Sequence, residues 1–259
     1  MLKILQNVGG CMNDKIRNFL ANTLFVKGIK CLFCNSELDK PSRYCLCDDC
    51  LSKLPFITGN ICKKCGEPIA SISQYCLKCK NHIDRNFDYA RAVFLYDGKI
   101  GEAVRNLKYY GKRYLAEYLS AFLLDLYNKE RFDCDLVIPA PISANSLKIR
   151  GYNQAELLCA SFKTAGLNVD ANCVVKVLET KNQASLGYKD RQTNLQDAFM
   201  VVDKSKVKGK KIVIVDDIFT TGATVGEIAK VLKKAKANSV LVLTLCHELP
   251  PDSPIKTAN

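Results

Sequence analysis

The sequence has no apolar run long enough to cross a bilayer. Its longest stretches, such as Val240–Leu243, fall far short of the roughly 20 residues a membrane helix requires. Its first residues, MLKILQNVGGCMNDK, hold no apolar segment followed by a small-residue cleavage site, so the chain is expected to be cytoplasmic, without membrane insertion. No G-x-x-x-x-G-K-[ST] occurs, which excludes a P-loop nucleotidase. Cys11 is not N-terminal and no triad partners stand out, which argues against a glutaminase-type amidotransferase. There is little to indicate disorder either: 48% of residues are hydrophobic and 25% charged, an ordinary globular composition. The exception is Pro250–Asn259, where three prolines and no apolar periodicity predict a flexible tail.

At 259 residues the chain is long enough for one large domain or two modest ones. Its balance is basic, with 38 Lys+Arg against 26 Asp+Glu for a formal charge of +12. If eight cysteines bind two zinc ions as thiolates, that charge falls to roughly +8. Such a surface favours polyanions, nucleic acid or sugar phosphates, though it also serves plain solubility.

Fourteen cysteines are present, and ten of them precede residue 80. A cytosolic chain this rich in cysteine points to metal ligation rather than disulfides. Four pairs have C-x-x-C spacing: Cys31/Cys34, Cys47/Cys50, Cys62/Cys65 and Cys76/Cys79. Two intervening residues let a tight turn aim both thiolates at one ion, and two such knuckles complete a tetrahedral zinc site. Joining first with second and third with fourth leaves 12 and 10 residues between knuckles; interleaved pairing also satisfies the spacing. About two structural Zn²⁺ ions are therefore predicted. Cys45, two residues before Cys47, can substitute for it as ligand. His82 follows the last knuckle and is read as non-ligating, because four thiols already fill each site. Of the later cysteines, Cys159, Cys173 and Cys246 lie in largely apolar surroundings and read as small core residues; Cys134 has no assigned role. Lys63, Lys64, Lys78 and Lys80 beside the second pair of knuckles fit either polyanion contact or a solvated scaffold.

From about Phe87 the pattern changes to alternating strands and helices. Tyr89–Tyr96, Leu136–Ile138, Val174–Leu178, Lys211–Val215 and Val240–Cys246 read as strands. Gly101–Leu126 (broken near Gly111), Gln154–Phe162 and Val225–Ala235 read as helices. This order predicts an α/β fold with a mainly parallel, doubly wound sheet, whose ligands bind at the carboxyl ends of the strands.

The most informative stretch is KKIVIVDDIFTTGATVGEIAKVL. A buried strand ends in Asp216 and Asp217, then a small-residue turn, Thr220-Thr221-Gly222-Ala223-Thr224, leads into a helix. Backbone N–H groups and hydroxyls at a helix N-terminus make a ready phosphate site, and Gly222 lets the chain close around the anion. The two carboxylates suit adjacent sugar hydroxyls, directly or through Mg²⁺. A phosphoacceptor receiver domain would need its acidic pair near its start, whereas this pair lies near the end.

Val215–Thr224 resembles the motif by which type I phosphoribosyltransferases bind phosphoribosyl pyrophosphate (PRPP). The order of features further resembles the ComF family, associated with DNA uptake in naturally competent bacteria. The resemblance covers nearly the whole chain: the paired C-x-x-C front end, YDGKIGEAVRNLKYYGKRYLA, VIPAPISANSLKIRGYNQAELL, NQASLGYKDRQTNLQDAF and the PRPP motif. It implies residues 1–30 as an N-terminal helical segment, 31–85 as a double zinc ribbon, 86–249 as a type I phosphoribosyltransferase-like domain with helices on both faces of its sheet, and 250–259 as a tail. It also implies that Thr220, Thr221, Gly222, Ala223 and Thr224 hold the 5-phosphate, and Asp216 with Asp217 the ribose hydroxyls, with Mg²⁺ accompanying PRPP. The loop at Pro139-Ala140-Pro141 would take the pyrophosphate, with Arg150 and nearby Lys148 supplying charge; the family usually shows P-V-P there, so Ala140 departs from it. Lys189 and Arg191 fall where such enzymes keep a catalytic loop that closes on the leaving group, shaped by Asn194 and Phe199.

Two functions from different classes fit. One is a PRPP-binding protein of DNA uptake or processing, touching single-stranded DNA and the uptake machinery, with Lys108–Tyr114 (KYYGKRY) as a stacking surface or simply a half-exposed helix. The other is an active phosphoribosyltransferase on a nucleobase or amine acceptor. Thr220 stands where hypoxanthine-type enzymes carry an aspartate acid/base, so that residue is missing here. A degenerate, zinc-stabilised interaction platform is the blander alternative, against which the complete PRPP motif argues.

Overall fold

The computed structural model describes residues 28–40, 42–70, 73–81, 85–178, 195, 197–250, 253 and 255. The chain divides into two compact units, 1–52 and 53–259. Cys11, most of the expected N-terminal helical segment, His82, Lys189, Arg191, Asn194 and most of the tail lie outside the described residues.

In the first unit Lys30 bridges Glu37 in a short antiparallel pairing, and Cys31 N–H donates to Ser36 O at 2.8 Å. Asn35, just after the second cysteine of this knuckle, has φ +62°. In the second unit Gly66 takes the same place after Cys65, with φ +74°. Both knuckles need a left-handed residue there to turn the chain back across the sulfurs, and Asn and Gly are the types that tolerate it. Two short helices follow later cysteines, α1 (Asp48–Ser52) and α2 (Leu77–Lys80).

The second unit is built on a parallel sheet of β1 (Tyr89–Leu95), β2 (Leu136–Pro139), β5 (Lys211–Phe219) and β6 (Ser239–His247) in the order β1-β6-β5-β2. In β5 and β6 successive residues are buried, including Ile212, Val213, Ile214 and Val215. Strands covered on both faces carry such unbroken apolar runs rather than an alternating pattern. Helix α4 (Leu115–Glu130) packs on β1 and β6, and α8 (Ala223–Lys234) packs on β6. Helix α3 (Gly98–Tyr109) precedes α4 and stops before Gly111, whose φ of +67° breaks the helix as its position predicts. Three short helices follow β2: α5 (Ala144–Arg150), α6 (Gln154–Leu157) and α7 (Ala160–Thr164). A separate antiparallel pair joins β3 (Val174–Lys176) to β4 (Phe199–Val201). Among the described residues no helix is long and apolar enough to cross a membrane.

The structure corrects three sequence expectations. The strand expected to end at Val215 runs through both aspartates to Phe219, held by register with β6 as far as Phe219↔His247. The expected helix Gln154–Phe162 is two, with Leu158 and Cys159 in the turn between them. The strand expected over Val174–Leu178 ends at Lys176.

Candidate functional site

The eight knuckle cysteines form two sets, Cys31/Cys34/Cys47/Cys50 and Cys62/Cys65/Cys76/Cys79, each with its sulfurs within 4.8 Å of one another. Pairing is thus first with second and third with fourth. Cys34 Sγ lies 3.7 Å from Cys47 Sγ, and Cys65 Sγ lies 3.6 Å from Cys76 Sγ. Sulfurs at about 2.3 Å from a tetrahedral zinc would be about 3.8 Å apart, so both sets fit the ion. Cys47 N–H and Cys50 N–H each donate to a cysteine sulfur at 3.4 Å, the backbone support thiolates require. Ser36 Oγ at 3.0 Å from Cys34 Sγ leads in pulling that thiol down to about 6. Cys45 instead points at Lys30 O, 3.4 Å away, and belongs to neither set. Cys159, Cys173 and Cys246 are buried, as expected of core residues. Metal analysis is expected to give two zinc ions per chain; a value of one would contradict one of the sets.

At the carboxyl end of β5 a cavity of about 800 Å³ opens. Asp216, Asp217, Thr220, Gly222, Ala223 and Thr224 line it, as do Ala140 and Arg150 from the chain after β2. Because β5 continues through the acids, Asp216 and Asp217 alternate across the strand, and both still reach the cavity. Asp216 Oδ1 accepts from Asp217 N–H at 2.8 Å, and Asp217 Oδ1 accepts from Ile218 N–H at 2.9 Å. Asp217 is only 3% exposed. Lys108, from the last turn of α3, places Nζ 2.8 Å from Asp217 Oδ2. Burial opposes the Lys108 charge, but the neighbouring Asp217 carboxylate, with Asp216 behind it, outweighs burial and holds the ammonium above its ordinary range. Burial, then the charge of Asp217, pushes Asp216 up to about 8.

The turn after β5 is shaped by Gly222, with φ +78° and ψ 9°, which caps α8. A Cβ at this position would lie 2.6 Å from Phe219 Cζ, closer than atoms approach, so glycine is required. Thr221 is buried and its Oγ1 accepts from Ala223 N–H at 3.2 Å; this threonine braces the turn just ahead of the Gly222 cap and does not line the cavity. The first amides of α8 have no intrahelical partner and carry the positive end of the helix dipole. Opposite them, Ala140 N–H donates to Val215 O at 2.8 Å and Asn153 Nδ2 donates to Ala140 O at 3.0 Å, which fixes the loop against β5. Arg150 donates to Gln154 Oε1 and lies over the Tyr109 ring at 5.6 Å. Lys148 lies on the last turn of α5 and is not among the cavity residues.

Sequence reasoning missed several cavity residues: Lys108, Arg105, Tyr96, Gln154 and Glu248. Lys108 has a signal, since it follows the inward-facing Val104 and Leu107 on one helix, four and one residues away respectively. The KYYGKRY pattern predicts it at one end of a nucleic-acid surface; its ammonium instead pairs with Asp217. Tyr109, Tyr110 and Tyr114 are exposed, Tyr110 at 72%.

The sequence matches the double zinc ribbon domain over residues 20–80 and the phosphoribosyl transferase domain over residues 165–257. It is 31% identical over 198 residues to the DNA utilization protein YhgH of Salmonella typhimurium, an alignment covering 73% of this chain and 85% of that protein. It is 29% identical to the competence protein ComFC of Bacillus subtilis, covering 83% and 93% respectively. With competence protein F of Haemophilus influenzae it shares 27% identity over 84% and 96%. A double zinc ribbon ahead of a type I phosphoribosyltransferase-like fold, together with these relatives along most of the chain, places the protein in the ComF family.

Proposed function

We propose that the cavity binds PRPP with Mg²⁺ and that the protein acts in the cytoplasm on incoming DNA, in uptake or processing. The observation carrying this reading is the convergence of a carboxylate pair and a helix-capping phosphate turn on one cavity at the carboxyl end of β5, where open α/β sheets hold their ligands. Thr220, Gly222, Ala223 and Thr224 take the 5-phosphate on the amides of α8, with Thr221 bracing the turn from within. Asp216 and Asp217 take the ribose hydroxyls, and their oxygens are the hard donors Mg²⁺ prefers. Ala140 and Arg150 face the pyrophosphate, and Lys189 and Arg191, outside the described residues, are the cations proposed to neutralise it. The names of the relatives support the DNA role, as does the run of exposed Tyr110, Tyr114 and intervening Lys112 and Arg113, which offers stacking and charge together.

The test is titration of the zinc-loaded protein with a single-stranded oligonucleotide, with and without Mg²⁺ and PRPP. Binding that weakens steeply between about 50 and 200 mM salt, with PRPP altering the DNA affinity, supports a coupled role. A flat salt response removes the electrostatic case for DNA.

A second reading, phosphoribosyl transfer to an acceptor amine, is favoured by cavity side chains beyond those PRPP requires, notably Tyr96 and Arg105. There the C1–O bond to pyrophosphate breaks, a C1–N bond forms, and the acceptor's proton passes to water. Pyrophosphate release on adding nucleobases or amines to the PRPP complex tests it; no release with any acceptor leaves binding alone.

The state of Asp216 gives this reading a pH signature. With its pKa raised to about 8, the folded protein holds a proton there that the unfolded chain has already lost, so this group's stabilisation is complete at acid pH and fades as pH rises towards 8. Binding of Mg²⁺ and PRPP needs the ionised form and expels that proton. Affinity is therefore expected to rise from pH 6 to pH 8, with proton release visible as a buffer-dependent heat; a pH-independent affinity would contradict the assignment of Asp216.

A further inference from the structure

The second ribbon shares the core of the phosphoribosyl fold. Cys62, Cys65 and Cys76 are packed in one cluster with Phe87, Phe219, Val225 and Ile228. Ala90 N–H on β1 donates to Lys64 O at 2.8 Å, between the two cysteines of a knuckle. A Cβ at Gly66 would lie 2.7 Å from Ala90 O, so the knuckle backbone lies directly on the strand. Cys65 also faces the end of β6. A ring nitrogen of His247 lies within 4.8 Å of Cys65 Sγ and of a Glu67 carboxylate oxygen.

From His247 the contacts run on to the phosphate turn. Its Nδ1 is 3.1 Å from Glu248 O, which fixes the ring plane. Nε2 is buried with no hydrogen-bond partner among the described residues. The imidazole stacks on Phe219 with centroids 4.9 Å apart and planes 26° apart. The Arg85 guanidinium lies over the same ring at 5.4 Å, and Phe87 meets it edge-on at 6.1 Å. Phe219 in turn fills the space that a side chain at residue 222 would need. Cys65, His247, Phe219 and Gly222 thus form one packed path from the second cysteine set to the cap of α8.

We propose that the second ribbon, closed on its zinc, is a buttress for the phosphate turn: it fixes His247 and Phe219, which as positioning residues hold Gly222 and the first turn of α8 in binding geometry. The proposal rests on the reading of Thr220–Thr224 as the phosphate site. Its physical basis is the incompressibility of packed interiors, which pass a displacement to the next contact rather than absorb it. Four sulfurs this close remain together as thiolates only around a cation; without one they must take up protons or move apart. The residues packed on Cys65 then lose their support, and the left-handed Gly222 turn is the part of the path least able to hold its shape alone.

The test uses the full zinc-loaded chain and three readouts: zinc content, amide hydrogen exchange over residues 220–226, and affinity for PRPP with Mg²⁺. Cys79→Ser opens the second set, and Phe219→Leu breaks the path while leaving every ligand in place. Cys79→Ser is expected to hold one zinc and to exchange these amides at least tenfold faster, with PRPP at least tenfold weaker. Phe219→Leu is expected to keep two zincs yet show the same local loosening. Wild-type exchange in Phe219→Leu overturns the proposal, and that variant decides the matter if Cys79→Ser does not fold. Because exchange is read without ligand, the two ideas separate: loosened amides in the variants with no PRPP binding by the wild type would sink the ligand assignment and leave the buttress standing.

Discussion

Asp216→Asn combined with Asp217→Asn is expected to lower PRPP affinity on the order of 100-fold or more. Hydrogen bonds to charged groups contribute about 1.5–3 kcal/mol each, and the double variant removes two charged acceptors along with any Mg²⁺ they hold. The same substitution strips Lys108 of the partner 2.8 Å away. Breaking a buried ion pair costs about 3–5 kcal/mol, but the Lys108 side chain is 22% exposed to the cavity, so solvent should reduce the loss to about 1–3 kcal/mol. The protein should therefore remain folded with a lowered melting midpoint. Adding Lys108→Met to the double variant separates the two effects: stability should recover while PRPP binding stays absent. If calorimetry shows wild-type affinity in the double variant, the carboxylate pair does not bind the ribose.

Gly222→Ala should be the most damaging single change in the turn. Alanine at φ +78° costs about 1 kcal/mol in backbone strain. Its Cβ would also lie 2.6 Å from Phe219 Cζ, so the ring stacked on His247 must move. Together these are expected to cost about 2–4 kcal/mol of stability and at least a tenfold loss of affinity for PRPP. Gly209→Ala is the matched control. Gly209 has φ +74° with nothing within 4 Å of the added carbon, so it carries the backbone strain alone and should bind PRPP normally. Equal losses in both variants would mean that Phe219 plays no part in shaping the turn.

Much of the fold is legible in the sequence because its signals are local. The C-x-x-C pairs, the β-branched run Ile212–Val215 and the Thr-Thr-Gly turn each state their own geometry. The failures occur where a distant partner decides. Asp216 and Asp217 are poor strand residues, yet β5 continues through them because β6 offers pairing out to His247. Strand β4 and helix α5 carry no sequence signal of their own, since the first is three residues long and leans on β3 while the second is a seven-residue helix capped by Ser143. Lys108 is legible as a basic residue but not as the partner of Asp217, because that ion pair joins α3 to a β5 residue far along the chain. The C-x-x-C motifs announce two metal sites but do not reveal that the second is embedded in the same core as Phe219. Likewise, the motif names five turn residues without separating Thr221, which braces the turn through Ala223 N–H, from the four that line the cavity.

The central claim is that this cavity recognises PRPP as a whole, phosphate at the turn and diol at the aspartates. Isothermal titration of the zinc-loaded protein with Mg²⁺ and PRPP, beside ribose 5-phosphate and pyrophosphate alone, tests it most directly. One PRPP per chain is predicted, bound more tightly than either fragment and lost in the double aspartate variant. No heat at millimolar PRPP, or equal binding of pyrophosphate alone, would contradict it.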